Sequence, residues 1–330
     1  MGSKYNKTFL IVILCIAILL FPLSNGFSKS TKKSSHHRKQ YKKHFVVHQK
    51  KHTTVPQKKR ASIRHTKHAG VHHKTNTGNL ILGSAVALVE DQRTGEFLIQ
   101  KKVRAVLPIA SITKLMTAMV ILDANVNLEE SLRIEEQDVD TLLHSHSRIP
   151  VGTYLTRREA LLLALMSSDN RCAHALGRTY PGGFQACVRA MNKKARSLGL
   201  FDTHFQDTSG LSSGNVSSAS DLARLVDNAY RYGLICEFTT CKKAVINTGW
   251  RTLEFHNTNQ LVKNSRWQIG LSKTGYTDDA GRCLVMQANV AERPLLIVLL
   301  DSQGKLTRIG DANRIKRWLE SKMTFQSTRG

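Results

Sequence analysis

No aspartate or glutamate precedes Glu90 in this chain of 330 residues, and that asymmetry decides which part can fold. Residues 29–75 hold 15 Lys/Arg and 9 of the 14 His, with few clustered apolar side chains. Such a segment cannot bury enough apolar surface to offset the entropy lost on ordering. From residue 76 onward, 32 Lys/Arg stand against 24 Asp/Glu, so most of the basicity belongs to the earlier segment. We therefore expect a disordered basic arm over residues 27–78, a folded domain over residues 79–322 and a short tail over residues 323–330.

The first 26 residues have the layout of a secretory signal peptide. Two lysines precede the uncharged run TFLIVILCIAILLFPL, and small residues lead to a cleavage site after Gly26. This pattern predicts export across the inner membrane to the periplasm. An uncleaved anchor is the alternative, because lysines follow the run closely and positive charge prefers the cytoplasmic side. The run of about 16 apolar residues is short for a span, which needs about 20. No second membrane span is predicted.

Two roles are open for the basic arm. Its charge can attract anionic cell-envelope polymers through residues 29–75, and protonation of its histidines would strengthen that attraction. The arm can equally be a tether that holds the domain away from the membrane. Nucleic acid is not expected as a partner, since aromatic side chains are sparse within the arm and the leader indicates export. The arm's histidines could bind metal loosely, but a solvated charged segment is the preferred interpretation, and no metal site is predicted.

Five cysteines follow the leader, at spacings that do not form a disulfide framework. Cys236 and Cys241 could pair across a short loop. The simpler interpretation is that the cysteines are small buried apolar residues.

Strand-like and helix-like patterns follow one another in a definite order after the arm. Residues 83–91 and 96–102 predict two strands around a glycine-containing turn. Thr156 with Glu159 forms a capping-box pattern at a helix start. Short apolar runs predict strands over residues 267–275, 281–291 and 294–301. The predicted helices cover residues 110–124, 156–167, 170–179, 184–199, 218–233 and 308–322. The first and last strands can meet in one sheet with helices on its faces, an α+β domain.

Ser111 and Lys114 form the first candidate catalytic pair, in PIASITKLMTAMVIL. On one apolar helix, residues three apart lie on the same face. A serine hydroxyl needs a base, and a lysine can act as one only when it is neutral. Its pKa must therefore fall by roughly 3 units from the free value of about 10.4. Burial among apolar neighbours can lower the pKa in this way. The same spacing recurs at Ser30–Lys33 and Ser302–Lys305, but neither of these pairs is on an apolar helix.

Two further triplets carry suitable chemistry. Ser168-Asp169-Asn170 follows an apolar helix, where a hydroxyl can relay a proton and a carboxamide can orient a substrate. Ser213-Gly214-Asn215 has the same pattern in a less suitable setting, and either triplet could be a helix cap or a turn. Lys273-Thr274-Gly275 is predicted on a strand, where the glycine permits close approach of a substrate backbone. This triplet could also be a strand end that enters a turn.

On helix, loop and strand, in this order, the three triplets match the serine set of penicillin-binding proteins and class A β-lactamases. The similarity runs through IASITKLMTAMVILDA, LLLALMSSDN, HNTNQLV and KTGYTDDAGRCLVM and covers roughly residues 80–322. The chain resembles the low-molecular-mass penicillin-binding proteins, the serine D-Ala-D-Ala carboxypeptidase family. Within them it is most similar to the D-alanyl-D-alanine endopeptidase branch, the penicillin-binding protein seven type. The resemblance implies a β-lactamase/transpeptidase-like α+β fold, with an antiparallel sheet flanked by helices and a mainly helical subregion.

The resemblance also implies a reaction. Ser111 would be the acylated nucleophile, Lys114 its general base, and Ser168 the relay that passes the proton to the leaving amine. The oxyanion would be held by the backbone N–H groups of Ser111 and Tyr276. Peptide cross-links and stems of peptidoglycan would be cut through an acyl-enzyme, in cell wall remodelling, and β-lactam antibiotics would be covalent inhibitors.

Four other residues would bind the substrate in this reading. Asn170 would orient the substrate amide, Lys273 and Thr274 would lie along the bound peptide, and Gly275 would let the peptide approach. Lys273 would also help to keep the lysine base neutral. No cofactor and no metal are implied.

Three rival functions remain open. A β-lactamase would share the triplets, but its class A form needs a glutamate in a Glu-x-x-Leu-Asn setting, and none occurs between the second and third triplets. A carboxypeptidase that removes only terminal D-alanine is not distinguished by any single residue. Carboxypeptidases of this group often add a strand-rich second domain and an amphipathic anchor, whereas only about a dozen residues follow Trp318. A non-catalytic cell-wall or nucleic-acid binder is the third possibility.

Overall fold

A five-stranded antiparallel sheet forms the centre of the folded part of the chain. The computed structural model describes residues 80–249 and 251–327. Its strands are β1 (Val86–Asp91), β2 (Phe97–Lys101), β9 (Gln268–Thr277), β10 (Gly281–Val290) and β11 (Arg293–Ser302). They follow the order β2-β1-β11-β10-β9, and every neighbouring pair is antiparallel. The predicted strands are confirmed, and β9, which carries the third triplet, is an edge strand.

Both faces of this sheet are buried. Along β1, Val86 and Leu88 belong to the core on the helical side, whereas Ala87 and Val89 belong to the core under the last helix. That last helix is α7 (Thr307–Ser327), whose apolar side chains complete the second core. Strands covered on both sides are apolar at successive positions, which explains why β10 and β11 appear in the sequence as continuous apolar runs.

The other helices form a layer on the opposite face of the sheet. They are α1 (Lys114–Asp123), α2 (Arg157–Met166), α3 (Asn170–Arg178), α4 (Gly183–Ser197), α5 (Ala219–Ala229) and α6 (Gly233–Thr240). The predicted capping box is present, because the Thr156 hydroxyl accepts from the Glu159 N–H at 3.1 Å and the Glu159 carboxylate accepts from the Thr156 N–H at 2.8 Å. The α+β class and the mainly helical subregion are therefore confirmed.

Short strand pairs complete the architecture. They are β3 (Leu107–Pro108) with β6 (Val216–Ser217), β4 (Ser131–Arg133) with β5 (Tyr154–Thr156), and β7 (Lys243–Asn247) with β8 (Thr252–His256). The β7–β8 hairpin and α6 have no counterpart in the sequence prediction. Helix α6 spans only 8 residues, too few to display a helical period, and β7 buries only Ile246 among its side chains.

The helix predicted over residues 110–124 begins differently in the structure. Ala110–Thr113 form a 3-10 turn, and the α-helix starts at Lys114. Ala110 adopts a φ of +46°, in the left-handed region, which prevents a regular α-helix from starting there. Ser111 and Lys114 therefore do not share one continuous α-helix as predicted.

The predicted leader (1–26) and basic arm (27–78) lie outside the described residues, as do residues 328–330 of the predicted tail. Within the part of the chain that the structure describes, no helix is both long enough and apolar enough to cross a membrane.

Candidate functional site

Ser111 lies in the 3-10 turn that leads from β3 into α1. In a 3-10 turn, side chains three residues apart eclipse one another. The Ser111 hydroxyl oxygen accepts a hydrogen bond from Lys114 Nζ at 2.8 Å. The short turn, rather than an α-helix, thus brings this serine and this lysine together.

Lys114 is 1 % exposed and lies among apolar side chains of the helical core. Its Nζ donates to three acceptors: Ser111 Oγ at 2.8 Å, Asn170 Oδ1 at 2.7 Å and the Ser209 carbonyl at 2.6 Å. Burial lowers the pKa of Lys114 from its ordinary value to about 8, although nearby carboxylates oppose the shift. About a tenth of the Lys114 side chains are consequently neutral at about pH 7, and a neutral amine can accept a proton from Ser111.

The second triplet lies between α2 and α3. Ser168 has a φ of +63°, an uncommon conformation for serine, and its hydroxyl oxygen accepts from Lys273 Nζ at 2.9 Å. Asp169 is the N-cap of α3, where its carboxylate accepts from the Cys172 N–H at 3.0 Å. Asn170 opens α3 and is shared between Lys114 and the Ser145 hydroxyl, to which Asn170 Nδ2 donates at 2.7 Å. The cap therefore fixes Ser168 and Asn170 on either side of it.

The third triplet lies on the edge strand β9. Lys273 is 1 % exposed, and its Nζ also donates to the Thr274 carbonyl at 2.8 Å. Burial lowers the pKa of Lys273 well below its usual range, and the positive charges of Lys114 and Arg308 lower it further. Within this pair the charge of Lys114 disfavours a charge on Lys273, whereas the pKa of Lys114 itself is lowered by burial. The Thr274 hydroxyl donates to Thr258 Oγ1 at 2.6 Å.

Gly275 lies directly against the turn that carries the serine. A Cβ at this position would be 2.9 Å from the Ile109 carbonyl oxygen and 3.1 Å from the Ser111 nitrogen. Only glycine allows this close approach without displacing the turn. Tyr276 follows, with its side chain half exposed and its hydroxyl donating to Asp278 at 2.7 Å. The backbone of β9 therefore passes the Ser111 N–H at close range.

All eight sequence-predicted site residues lie in one constellation, linked by hydrogen bonds or direct backbone contact. The competing motifs among the described residues lie elsewhere. Ser302 Oγ is bonded to Ser84 Oγ at 2.8 Å, and Lys305 is exposed. Asn215 is fully buried and serves as a backbone support. The Ser30–Lys33 pair lies outside the described residues.

Among the described residues, no group of three or more His, Cys, Asp or Glu side chains could hold a metal ion. Cys236 and Cys241 are both free thiols, and the more buried Cys172, Cys187 and Cys283 are free as well.

Residues 73–304, more than half of the chain, match the sequence model of the family described as D-alanyl-D-alanine carboxypeptidase. The chain belongs to this family. The matched residues include all three triplets.

Curated relatives from this family are similar over most of their length. A D-alanyl-D-alanine endopeptidase of Pseudomonas aeruginosa is 46% identical over 242 residues, covering 73% of this chain and 78% of the relative. A D-alanyl-D-alanine endopeptidase of Escherichia coli K12 is 41% identical with the same coverage. The crystal structure of the Streptomyces K15 DD-transpeptidase superposes with a TM-score of 0.67 at 26% identity, covering 72% of this chain and 97% of that one. The transpeptidase-like fold implied by the sequence is confirmed.

Several groups in this constellation were not identified from the sequence. They are the Ser209 carbonyl, the hydroxyls of Ser145 and Thr258, and the guanidinium of Arg308, which donates to the Gly275 carbonyl at 2.7 Å. A backbone carbonyl has no side-chain signature, and the other three come from segments without a recognisable motif. Only folding brings them beside the triplets.

Proposed function

We propose that this protein is a serine D-alanyl-D-alanine peptidase that cleaves peptidoglycan peptide cross-links through an acyl-enzyme on Ser111. The observation that carries the proposal is the 2.8 Å hydrogen bond between Ser111 and a fully buried Lys114 whose pKa is lowered to about 8. A serine beside a lysine that can be neutral is an activated nucleophile. The names of the curated relatives support the choice of D-alanyl-D-alanine peptides as substrates.

Acylation uses the three triplets in sequence. Neutral Lys114 takes the proton of Ser111, whose Oγ bonds to the carbonyl carbon of the D-alanine at the cross-link. The N–H groups of Ser111 and Tyr276 stabilise the oxyanion. Ser168, bonded to Lys273, passes a proton to the leaving amine nitrogen, and the C–N bond breaks. The proton that Lys114 took from Ser111 then passes to Ser168 and replaces the one given to the amine, so Lys114 is neutral again before deacylation.

Deacylation restores the free enzyme with water as the second substrate. Lys114 accepts a proton from water, the water oxygen bonds to the acyl carbon, and the C–Oγ bond breaks. The proton then returns to Ser111, leaving a free D-alanine carboxylate on the product. Asn170 and Thr274 hold the peptide during both steps. A β-lactam would acylate Ser111 in the same way, since its ring amide occupies the position of the scissile bond.

Incubation with a purified cross-linked muropeptide dimer tests the choice of reaction. We expect mass spectrometry to show conversion of the dimer into two monomers. The reason is that two relatives named D-alanyl-D-alanine endopeptidase are 46% and 41% identical to this chain over 242 residues. Release of terminal D-alanine alone would make the protein a carboxypeptidase instead. Rapid steady hydrolysis of benzylpenicillin, rather than a slowly cleared adduct, would favour a β-lactamase.

The rate of acylation should depend on pH through Lys114. Because the base must be neutral, we expect the benzylpenicillin acylation rate to rise with pH and to level off above the pKa of about 8. Lys273 titrates in the same site, so the observed midpoint belongs to the pair. Stopped-flow acylation across this range, with intrinsic fluorescence to confirm that the fold persists, measures the profile. A rate that does not change between about pH 6 and about pH 9 would contradict the assignment of lysine as base.

The proposed domain organisation places the catalytic domain outside the cytoplasm. Residues 1–26 would act as a leader and residues 27–78 as a basic arm. The catalytic domain would cover residues 79–322, and the tail would cover residues 323–330, of which residues 323–327 continue α7. The arm would bind anionic envelope polymers or act as a tether. N-terminal sequencing of the mature protein from the periplasm tests cleavage after Gly26; an intact N-terminus in the membrane fraction would indicate an anchor.

A further inference from the structure

The turn after β-bridge residue His204 is organised by a single carboxylate. Asp207 Oδ1 accepts from the backbone N–H groups of Ser209 at 2.7 Å and Gly210 at 2.5 Å. Asp207 Oδ2 accepts from the Ser212 N–H at 2.7 Å. Three backbone donors on one side chain fix the course of residues 207–212, which we call the Asp207 turn.

The Asp207 turn presents one group to the catalytic lysine. Ser209 is 4 % exposed, and its carbonyl accepts from Lys114 Nζ at 2.6 Å. Gly210 has a φ of +85°, and a Cβ at this position would be 1.9 Å from the Ala110 carbonyl oxygen. The turn is therefore in backbone contact with the residue that precedes Ser111. We call the 3-10 turn Ala110–Thr113 the Ser111 turn. A shift of the Asp207 turn would therefore displace both the Ser209 carbonyl that accepts from Lys114 and the backbone that packs against the Ser111 turn.

Asn215 connects the Asp207 turn to both ends of the Ser111 turn. Its Oδ1 accepts from the Asp207 N–H at 3.1 Å, and its Nδ2 donates to the Asp207 carbonyl at 3.1 Å. The same Nδ2 donates to Thr113 Oγ1 at 3.0 Å, and the Asn215 carbonyl accepts from the Ile109 N–H at 3.0 Å. Asn215 is fully buried, so these bonds are not exchanged with water.

We propose that Asp207, braced by Asn215, is a positioning residue that holds the Ser209 carbonyl against Lys114 and so orients the base towards Ser111. The inference rests on the proposed function, because it assigns Lys114 the role of base. It gives a role to the Ser213-Gly214-Asn215 segment, which resembles the second triplet but lies outside the constellation of triplets.

The charge of Asp207 provides a signature that a purely structural residue would lack. The carboxylates of Asp207 and Asp169 face Lys114 and raise its pKa against the effect of burial. Cys172 also faces Lys114, but burial raises the pKa of this thiol well above its usual range, so it stays neutral. Lys273 faces Lys114 from β9. The first turn of α1, which begins at Lys114, contains no acidic residue. Removal of the Asp207 charge should therefore lower the pKa of Lys114 and move the acylation profile to lower pH.

Two substitutions separate the charge from the positioning. Asp207→Asn keeps an oxygen for the Ser209 and Gly210 N–H groups but removes the charge, so we expect the profile midpoint to fall by about one pH unit. Asp207→Ala removes the acceptor as well, so we expect the plateau acylation rate to fall about 10- to 100-fold. The asparagine variant should retain most of the plateau rate that the alanine variant loses. Benzylpenicillin acylation of the full chain, followed over pH by stopped flow, measures both quantities.

Asp91 offers a matched control. Its buried carboxylate accepts from the Arg93 N–H at 2.9 Å and the Thr94 N–H at 3.1 Å in the β1–β2 turn. We expect Asp91→Asn to lower thermal stability without moving the profile midpoint. A midpoint in Asp207→Asn equal to that of the wild type, or an undiminished plateau in Asp207→Ala, would overturn the inference. Failure of the wild-type protein to form an adduct on Ser111 would instead refute the proposed function.

Discussion

Replacement of Ser111 by alanine is expected to abolish covalent penicillin binding and to reduce muropeptide cleavage by at least roughly 10⁴-fold. The substitution removes the only proposed nucleophile and leaves Lys114 its bonds to Asn170 and the Ser209 carbonyl. The loss should therefore appear in chemistry rather than in folding. Intact-protein mass spectrometry after incubation with benzylpenicillin measures the adduct, and chromatography of the muropeptide dimer measures turnover.

Ser213→Ala is the matched control for this variant. Ser213 is exposed and belongs to the Ser213-Gly214-Asn215 segment. We expect the control protein to form the adduct at the wild-type rate. Release of monomers from the dimer by Ser111→Ala at the wild-type rate would refute the acyl-enzyme mechanism.

Lys114→Met is expected to slow acylation by about 10²- to 10⁴-fold, which is the usual contribution of a general base. Methionine has a similar length and suits the apolar surroundings, so the fold should persist. The remaining slow reaction should also lose its dependence on pH through the midpoint near pH 8. Stopped-flow acylation gives the rate, and thermal unfolding monitored by circular dichroism confirms the native state.

A second lysine in a Ser-x-x-Lys pair provides the comparison. Lys305 follows Ser302 at the same spacing but is exposed, three residues beyond the end of β11. We expect Lys305→Met to retain the wild-type rate and pH profile. If Lys114→Met retained them as well, Lys114 would not be the base.

The regular elements were predictable wherever local chemistry agreed with the tertiary structure. The capping box at Thr156 and the apolar runs of β10 and β11 specify their elements within a few residues. Helix α6 and the β7–β8 hairpin were missed, because short segments with few buried side chains show no clear period. The predicted start of the helix at Ala110 was also wrong. Ala110 has a left-handed backbone conformation and lies against Gly210 and Gly275, which are distant in the sequence.

The site could be predicted in part, because some of its residues belong to short local motifs. Ser111, Ser168 and Lys273 belong to short triplets with recognisable chemistry, although each triplet alone is common. The Ser209 carbonyl and the brace formed by Asn215 could not be found in this way. Their role depends on position relative to the Ser111 turn, and residues about a hundred positions apart are brought together only by the folded core.

The sequence by itself determined the chemical groups, the class of fold and the order in which strands and helices follow one another. Those properties depend on side-chain type and local periodicity, which are present before folding. The tertiary structure decided which of several similar motifs meet, and it decided the protonation of Lys114. Both depend on burial and on contacts between distant segments, and a lysine has a pKa of about 8 only after the core has removed water from around it.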